Sequence, residues 1–231
     1  MTKYFFLALL SFCFLLNAQE DKDYGRIYGG IESNAQYYLD DVGLNFTQPD
    51  EPFRSNNYLF LNYNFKKFTA GFQLESYEPN ALLNYNPLFN GTDLGTYFID
   101  YKSEKIQVTV GHFYEQFGSG ILLRAWEDRA LGINSALRGT RVKYSPNDNI
   151  NITALYGRQR SGFHVTKGDI YGFDTDFFLG EWLNLYEKSQ DLSIGLSYVG
   201  RYEAVDFENH NFDELTNAYS FRFDYINNSF Y

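Results

Sequence analysis

A two-residue alternation between Asn57 and Tyr77, NYLFLNYNFKKFTAGFQLESY, constrains this chain more than any other feature. Leu59, Leu61, Tyr63 and Phe65 share one parity, and Asn62 and Asn64 take the other. Beyond Lys66-Lys67, Phe68, Ala70, Phe72 and Leu74 alternate with Thr69, Gly71, Gln73 and Glu75. Successive side chains of a strand point to opposite faces, so each run carries one apolar and one mostly polar face. Each arm has the roughly 9–11 residues that a tilted strand needs to cross a bilayer. The stretch reads as an antiparallel hairpin, and the rest of the chain repeats it.

Arg26–Leu39 is the first strand expected, with Ile27, Ile31, Ala35, Tyr37 and Leu39 on one parity. Pro49 and Pro52 place a loop over Asp40–Asn57, and Pro79–Asp93, rich in Asn, reads as another. Leu94–Phe113 is a second hairpin about Ser103–Lys105, and Thr140–Gly157 a third about Pro146–Asp148. Leu192–Tyr202 and Thr216–Ile226 follow as single strands, with Asn227-Asn228 as the next tight turn. Short turns thus alternate with long connections, the asymmetry of an antiparallel membrane barrel. On this reading Leu59, Leu61, Phe72, Leu74, Ile99, Val108, Val110, Ile152, Ile194, Leu196, Phe221 and Phe223 face lipid. The fold class expected is all-β, an antiparallel transmembrane β-barrel built as a meander of hairpins. Ser229-Phe230-Tyr231 stands just past a turn, as though another strand began there, so the expectation is either a barrel that closes here with few strands or, in preference, the N-terminal part of a larger one.

Composition agrees with export. The chain of 231 residues is 20% aromatic, with 23 Phe and 21 Tyr. Its net charge of −10 argues against a nucleic-acid partner, which wants a basic face. Met1–Ala18 has a positive Lys3, an apolar Tyr4–Leu16 and a passable cleavage site at Leu16-Asn17-Ala18, so residues 1–18 read as a signal peptide and 19–231 as the barrel domain. The single cysteine, Cys13, lies within that leader and leaves the mature chain without disulfide or thiolate chemistry.

No motif points to an enzyme. His112, His164 and His210 lie far apart without ligand spacing, so no metal site is expected. Asp169, Asp174 and Asp176 in GDIYGFDTD lack the spacing and closing Glu of an EF-hand loop. Gly118-Ser119-Gly120 is neither a nucleophile elbow nor a phosphate loop, and no cofactor is implied.

Gly111–Arg141 breaks the strand rhythm. Arg124, Glu127, Asp128, Arg129, Arg138 and Arg141 crowd into it with Trp126, and are expected to enter the lumen as a plug or constriction. The bland reading is an outer loop with solvated charges. The run GHFYEQFGSGILLRAWEDRALGIN resembles the most distinctive segment of an outer-membrane β-barrel family of Bacteroidetes-type, Gram-negative bacteria that has no assigned function. The resemblance implies an outer-membrane location and a barrel, and brings no catalytic residues.

Two functions follow as expectations. The first is a non-enzymatic barrel acting as a porin-like pore, a transport component or a subunit of an envelope assembly. Its partners are outer-membrane lipid, other envelope proteins and an unspecified small solute. The second is a soluble secreted β-barrel or sandwich with its apolar face inside, binding a hydrophobic ligand or a carbohydrate.

Overall fold

Period-2 alternation folds as strands, and the strands pair in chain order. The computed structural model describes residues 24–204 and 213–227. The expected leader, His210 and the last four residues, with Asn228 of the expected turn, lie outside the described residues. Ten long strands form one sheet: β1 (Arg26–Tyr37), β2 (Phe53–Phe65), β3 (Phe68–Tyr77), β4 (Gly91–Lys102), β5 (Ile106–Phe113), β10 (Leu137–Asn147), β11 (Ile150–Ser161), β12 (His164–Phe178), β13 (Gln190–Tyr202) and β14 (Leu215–Asn227). Four two-residue strands, β6 (Glu115–Gln116), β7 (Arg124–Ala125), β8 (Glu127–Asp128) and β9 (Ile133–Asn134), make two small ladders between β5 and β10.

Every neighbouring pair is antiparallel, so the sheet is an up-and-down meander from β1 to β14. Among the described residues β1 and β14 are its two unpaired edges, and no closed barrel is formed. Two-residue turns at Lys66-Lys67 and Asp148-Asn149 and the Ser103–Lys105 turn lie at one end. At Lys66 a positive φ of 54° completes the tight turn. The long connections 38–52, 78–90 and 114–136 lie at the other end. Two connections depart from the expected alternation. The β11–β12 turn is only Gly162-Phe163, and the β12–β13 link on the short-turn side runs over 179–189 with a 3₁₀ turn at Tyr186–Lys188.

Register carries each apolar set across the sheet. Ile27, Tyr63, Ala70, Ile99, Val110, Thr140, Tyr156 and Tyr171 follow one another from β1 to β12. Ile106, Tyr144, Ile152, Thr175, Leu196 and Phe221 make a second row from β5 to β14. This face is open. Of the twelve positions expected to meet lipid, Val108, Ile152 and Ile194 are half-buried and the other nine are exposed, from Phe72 at 37% to Phe221 at 66%. Aromatic pairs stand along it near the strand ends, with Phe68 5.0 Å from Tyr101 and Tyr198 5.1 Å from Tyr219 between ring centroids. Among the described residues no helix is long and apolar enough to cross a membrane.

Burial belongs to the opposite face. Phe113, Phe117, Leu123, Ala125, Leu137 and Leu155 form one buried cluster, with Ile170 and Val199 against it. Tyr58, Tyr77, Ala81 and Phe89 form a second, with Tyr85 and Phe163. The sheet is strongly curled around them. β3 and β11 lie four strand spacings apart, about 19 Å along the sheet, yet Glu75 of β3 meets Arg160 of β11 directly at 2.6 Å.

Candidate functional site

The inner face is built from the polar parity of the strands and from the segment 114–136, which folds back onto it. The segment leaves at Phe113 and returns at Leu137, which are themselves cross-strand partners in the β5–β10 ladder. Phe117, Leu123 and Ala125 anchor it in the first buried cluster. Glycines make room for it. A side chain at Gly172 would meet the Phe117 ring at 2.8 Å, and one at Gly118 would meet the Arg222 side chain at 2.4 Å. The segment therefore touches β12 and the edge strand β14 on one side.

Its charges reach the other side. Arg129 donates to Gln73 of β3 at 3.1 Å and to Glu127 at 3.2 Å, pairs with Glu32 of the edge strand β1, and lies 4.1 Å from the Tyr58 ring. Burial works against the Arg129 charge, but the carboxylates of Glu127 and Glu32 outweigh it and hold its pKa above the ordinary value. Arg141, on the inner parity of β10, donates to Glu115 at 3.0 Å and to the Thr109 hydroxyl at 2.9 Å. Glu115 also meets Lys143 at 2.8 Å.

Six charged residues were expected inside, and the structure separates them. Glu127, Arg129 and Arg141 are ion-paired on the inner side. Asp128 accepts from the Leu131 amide at 3.0 Å and shapes the local turn. Arg124 is exposed, with its guanidinium 4.2 Å from the Trp126 ring. Arg138 is a correction: it is exposed, and the unbroken ladder gives it the parity of Thr140 and Val142, beside Arg158 and Asp169. It stands at the loop end of the apolar face, because a residue two positions before Thr140 must share its face.

The structure adds two clusters that the sequence reading did not single out. The Glu75 carboxylate, fully buried, takes a two-pronged pair of bonds from Arg160 at 2.9 and 2.6 Å. Gln73 and the Tyr77 hydroxyl donate to the same carboxylate, and Arg160 donates its remaining prong to the Gly162 carbonyl. Gly95 is required here, since a Cβ would stand 2.0 Å from Glu75 Oε1. In the second cluster Arg222 reaches Asp174 at 2.8 Å and Asp176 at 2.7 Å, with Ser197 joined to both Arg222 and Asp174. The sequence signal for both was a charged residue on the polar parity of an alternating run. Asp174 and Asp176 thus serve an arginine, and Asp169 lies on the other face with Arg158. Among the described residues no His, Cys, Asp or Glu cluster is arranged to hold a metal ion.

Between the β2–β5 wall and the inner segment lies a cavity of about 590 Å³, open to one side. Phe60, Asn62, Phe98, Asp100 and Thr109 form its wall, and Glu127 and Arg129 its roof. A sequence-family model described as a family of unknown function, DUF6029, matches residues 1–231. The chain is a DUF6029 protein. The match spans the run from Gly111 to Arg141 together with every strand of the sheet, so in this DUF6029 protein the inward segment and its wall belong to one family unit. No curated protein matches the chain.

Proposed function

We propose that this DUF6029 protein is a non-enzymatic outer-membrane β-barrel protein of a Bacteroidetes-type bacterium. It acts as a pore, a transport component or a subunit of an envelope assembly, and the segment 114–136 stoppers its lumen. Residues 1–18 act as a cleaved export signal. The observation that carries the reading is the polarity of the sheet. Leu59, Leu61, Ile99, Val110, Leu196, Phe221 and Phe223 stand exposed on the outer face, while the ion pairs Glu75–Arg160 and Arg222–Asp174 lie inside. A water-soluble barrel turns its greasy parity inward; lipid asks for the reverse. Open edges are not stable in lipid, so β1 and β14 close against each other or against strands of a partner.

The test is fractionation of the expressing cells. The protein is expected in the outer-membrane pellet, released only by detergent, with a gel mobility that shifts on boiling. Recovery in buffer without detergent, with no shift on boiling, would overturn the reading.

A further inference from the structure

We infer that the cavity between the β2–β5 wall and the inner segment binds a neutral saccharide of one or two rings. The inference rests on the inner face being the working surface, and names the solute class for it. At about 590 Å³ the cavity lies within the roughly 300–1,000 Å³ typical of small-molecule sites.

The chemistry of the lining selects the ligand. Its charges are already spent on one another: Arg129 on Glu32 and Glu127, and Arg141 on Glu115. The cavity therefore offers no uncompensated cation to an anionic ligand. Asp100 is the exception in kind. Its Oδ1 accepts from Thr109 at 2.6 Å and Gln107 at 2.9 Å, two neutral donors, and among the described residues no cation pairs with it. Thr109 in turn accepts from Arg141, so one hydroxyl fixes the carboxylate in place and leaves Oδ2 as an acceptor. On the same wall the Asn62 side chain, half-buried, has no partner among the described residues and supplies both a donor and an acceptor.

Gly71 makes these groups available. It lies between Asn62 and Phe98 in the register, and a Cβ on it would meet Asn62 Oδ1 at 2.2 Å and the Phe98 ring at 2.7 Å. The missing side chain lets the amide and the ring lean together over the floor of the cavity. Phe60 and Phe98 add apolar ring faces next to planar amide and carboxylate groups. A pyranose matches that pairing: its axial C–H groups give it an apolar face, and its rim of hydroxyls both donates and accepts. An ammonium ion would pair with Asp100 and a ring face but leave the Asn62 amide donor unused, and a zwitterion would need a free cation that the lining lacks.

Isothermal titration of the detergent-purified full chain tests this, with maltose, cellobiose and N,N′-diacetylchitobiose as probes and glycine, glutamate and spermidine as controls. At least one saccharide is expected to bind at millimolar affinity or tighter. Phe98→Ala and Asp100→Asn are each expected to weaken it about tenfold or more, with an unchanged far-UV circular dichroism spectrum. Should Phe98→Ala fail to fold, Asp100→Asn, which is isosteric and still accepts from Thr109, decides alone. No binding of any of the three saccharides, binding of the controls only, or binding indifferent to Asp100→Asn would overturn the inference. The two readings fail separately: a membrane-extracted, heat-modifiable protein that binds no sugar loses the site alone. A buffer-soluble protein whose sugar binding needs Asp100 loses the membrane reading alone.

Discussion

Glu75 and Arg160 show what a single inner pair does for this sheet. Both are fully buried, and the carboxylate takes four hydrogen bonds from Arg160, Gln73 and Tyr77. A buried charge left without its partner is expensive, about 3–5 kcal/mol. Glu75→Ala is therefore expected to lower the unfolding free energy of the detergent-solubilised protein in urea by that order, with a lower midpoint, and Glu75→Met with Arg160→Met to recover much of the loss. A midpoint that does not move in Glu75→Ala would mean that Arg160 finds water or another acceptor. Gly95→Ala is expected to resemble Glu75→Ala, because its methyl group would displace the carboxylate. None of this pairing was legible beforehand. Glu75 was visible as a polar-parity residue in an alternating run, but its partner lies 85 residues away, and only the curl of the sheet brings them together.

At the scale of elements the strands were readable and the inner segment only half so. Period 2 placed β2 with β3, β4 with β5, and β10 with β11, as well as β13 and β14, within a few residues of their ends. β12 was missed: Gly168, Gly172 and three aspartates mask an alternation that Tyr171, Phe173 and Phe177 carry on the outer face. Arg138 was grouped with the inner charges by nearness in sequence, although its parity puts it with Val142. The inward fold of 114–136 was expected from its charge; that Phe117 and Leu123 anchor it was not. The arginines of this segment make unequal predictions. Arg129 ties it to β1 and β3, whereas Arg124 is exposed on Trp126. Charge reversal, Arg129→Glu, is expected to loosen the stopper and raise conductance in planar bilayers. Arg124→Glu is expected to leave the conductance unchanged. Equal behaviour of the two variants would separate the arginine network from the state of the lumen.

For the whole molecule the deciding quantity is which solvent the exposed face meets. Leu196 stands at the middle of β13, 46% exposed, between Thr175 and Phe221 in the register. In a bilayer Leu196→Arg would place a cation near the midplane, at a cost of about 2–4 kcal/mol. Folding into phospholipid vesicles is expected to show that loss, whereas Ile106→Arg, on the same face but beside the turns, is expected to show little. If the face meets water instead, Leu196→Arg is neutral or mildly favourable, and the vesicle measurement shows no penalty.

The excursion from Phe113 to Leu137 starts and finishes on the same rung of the β5–β10 ladder, which continues unbroken to Ile106 and Tyr144. Wall and contents are therefore stitched at one seam. Insertions or wholesale exchange of the contents can accumulate without shifting the register of any neighbouring strand. A chimera that swaps this one loop is accordingly expected to keep the register of the neighbouring strands and the ligand preference set by Phe98 and Asp100, while the closure of the inner side follows the donor.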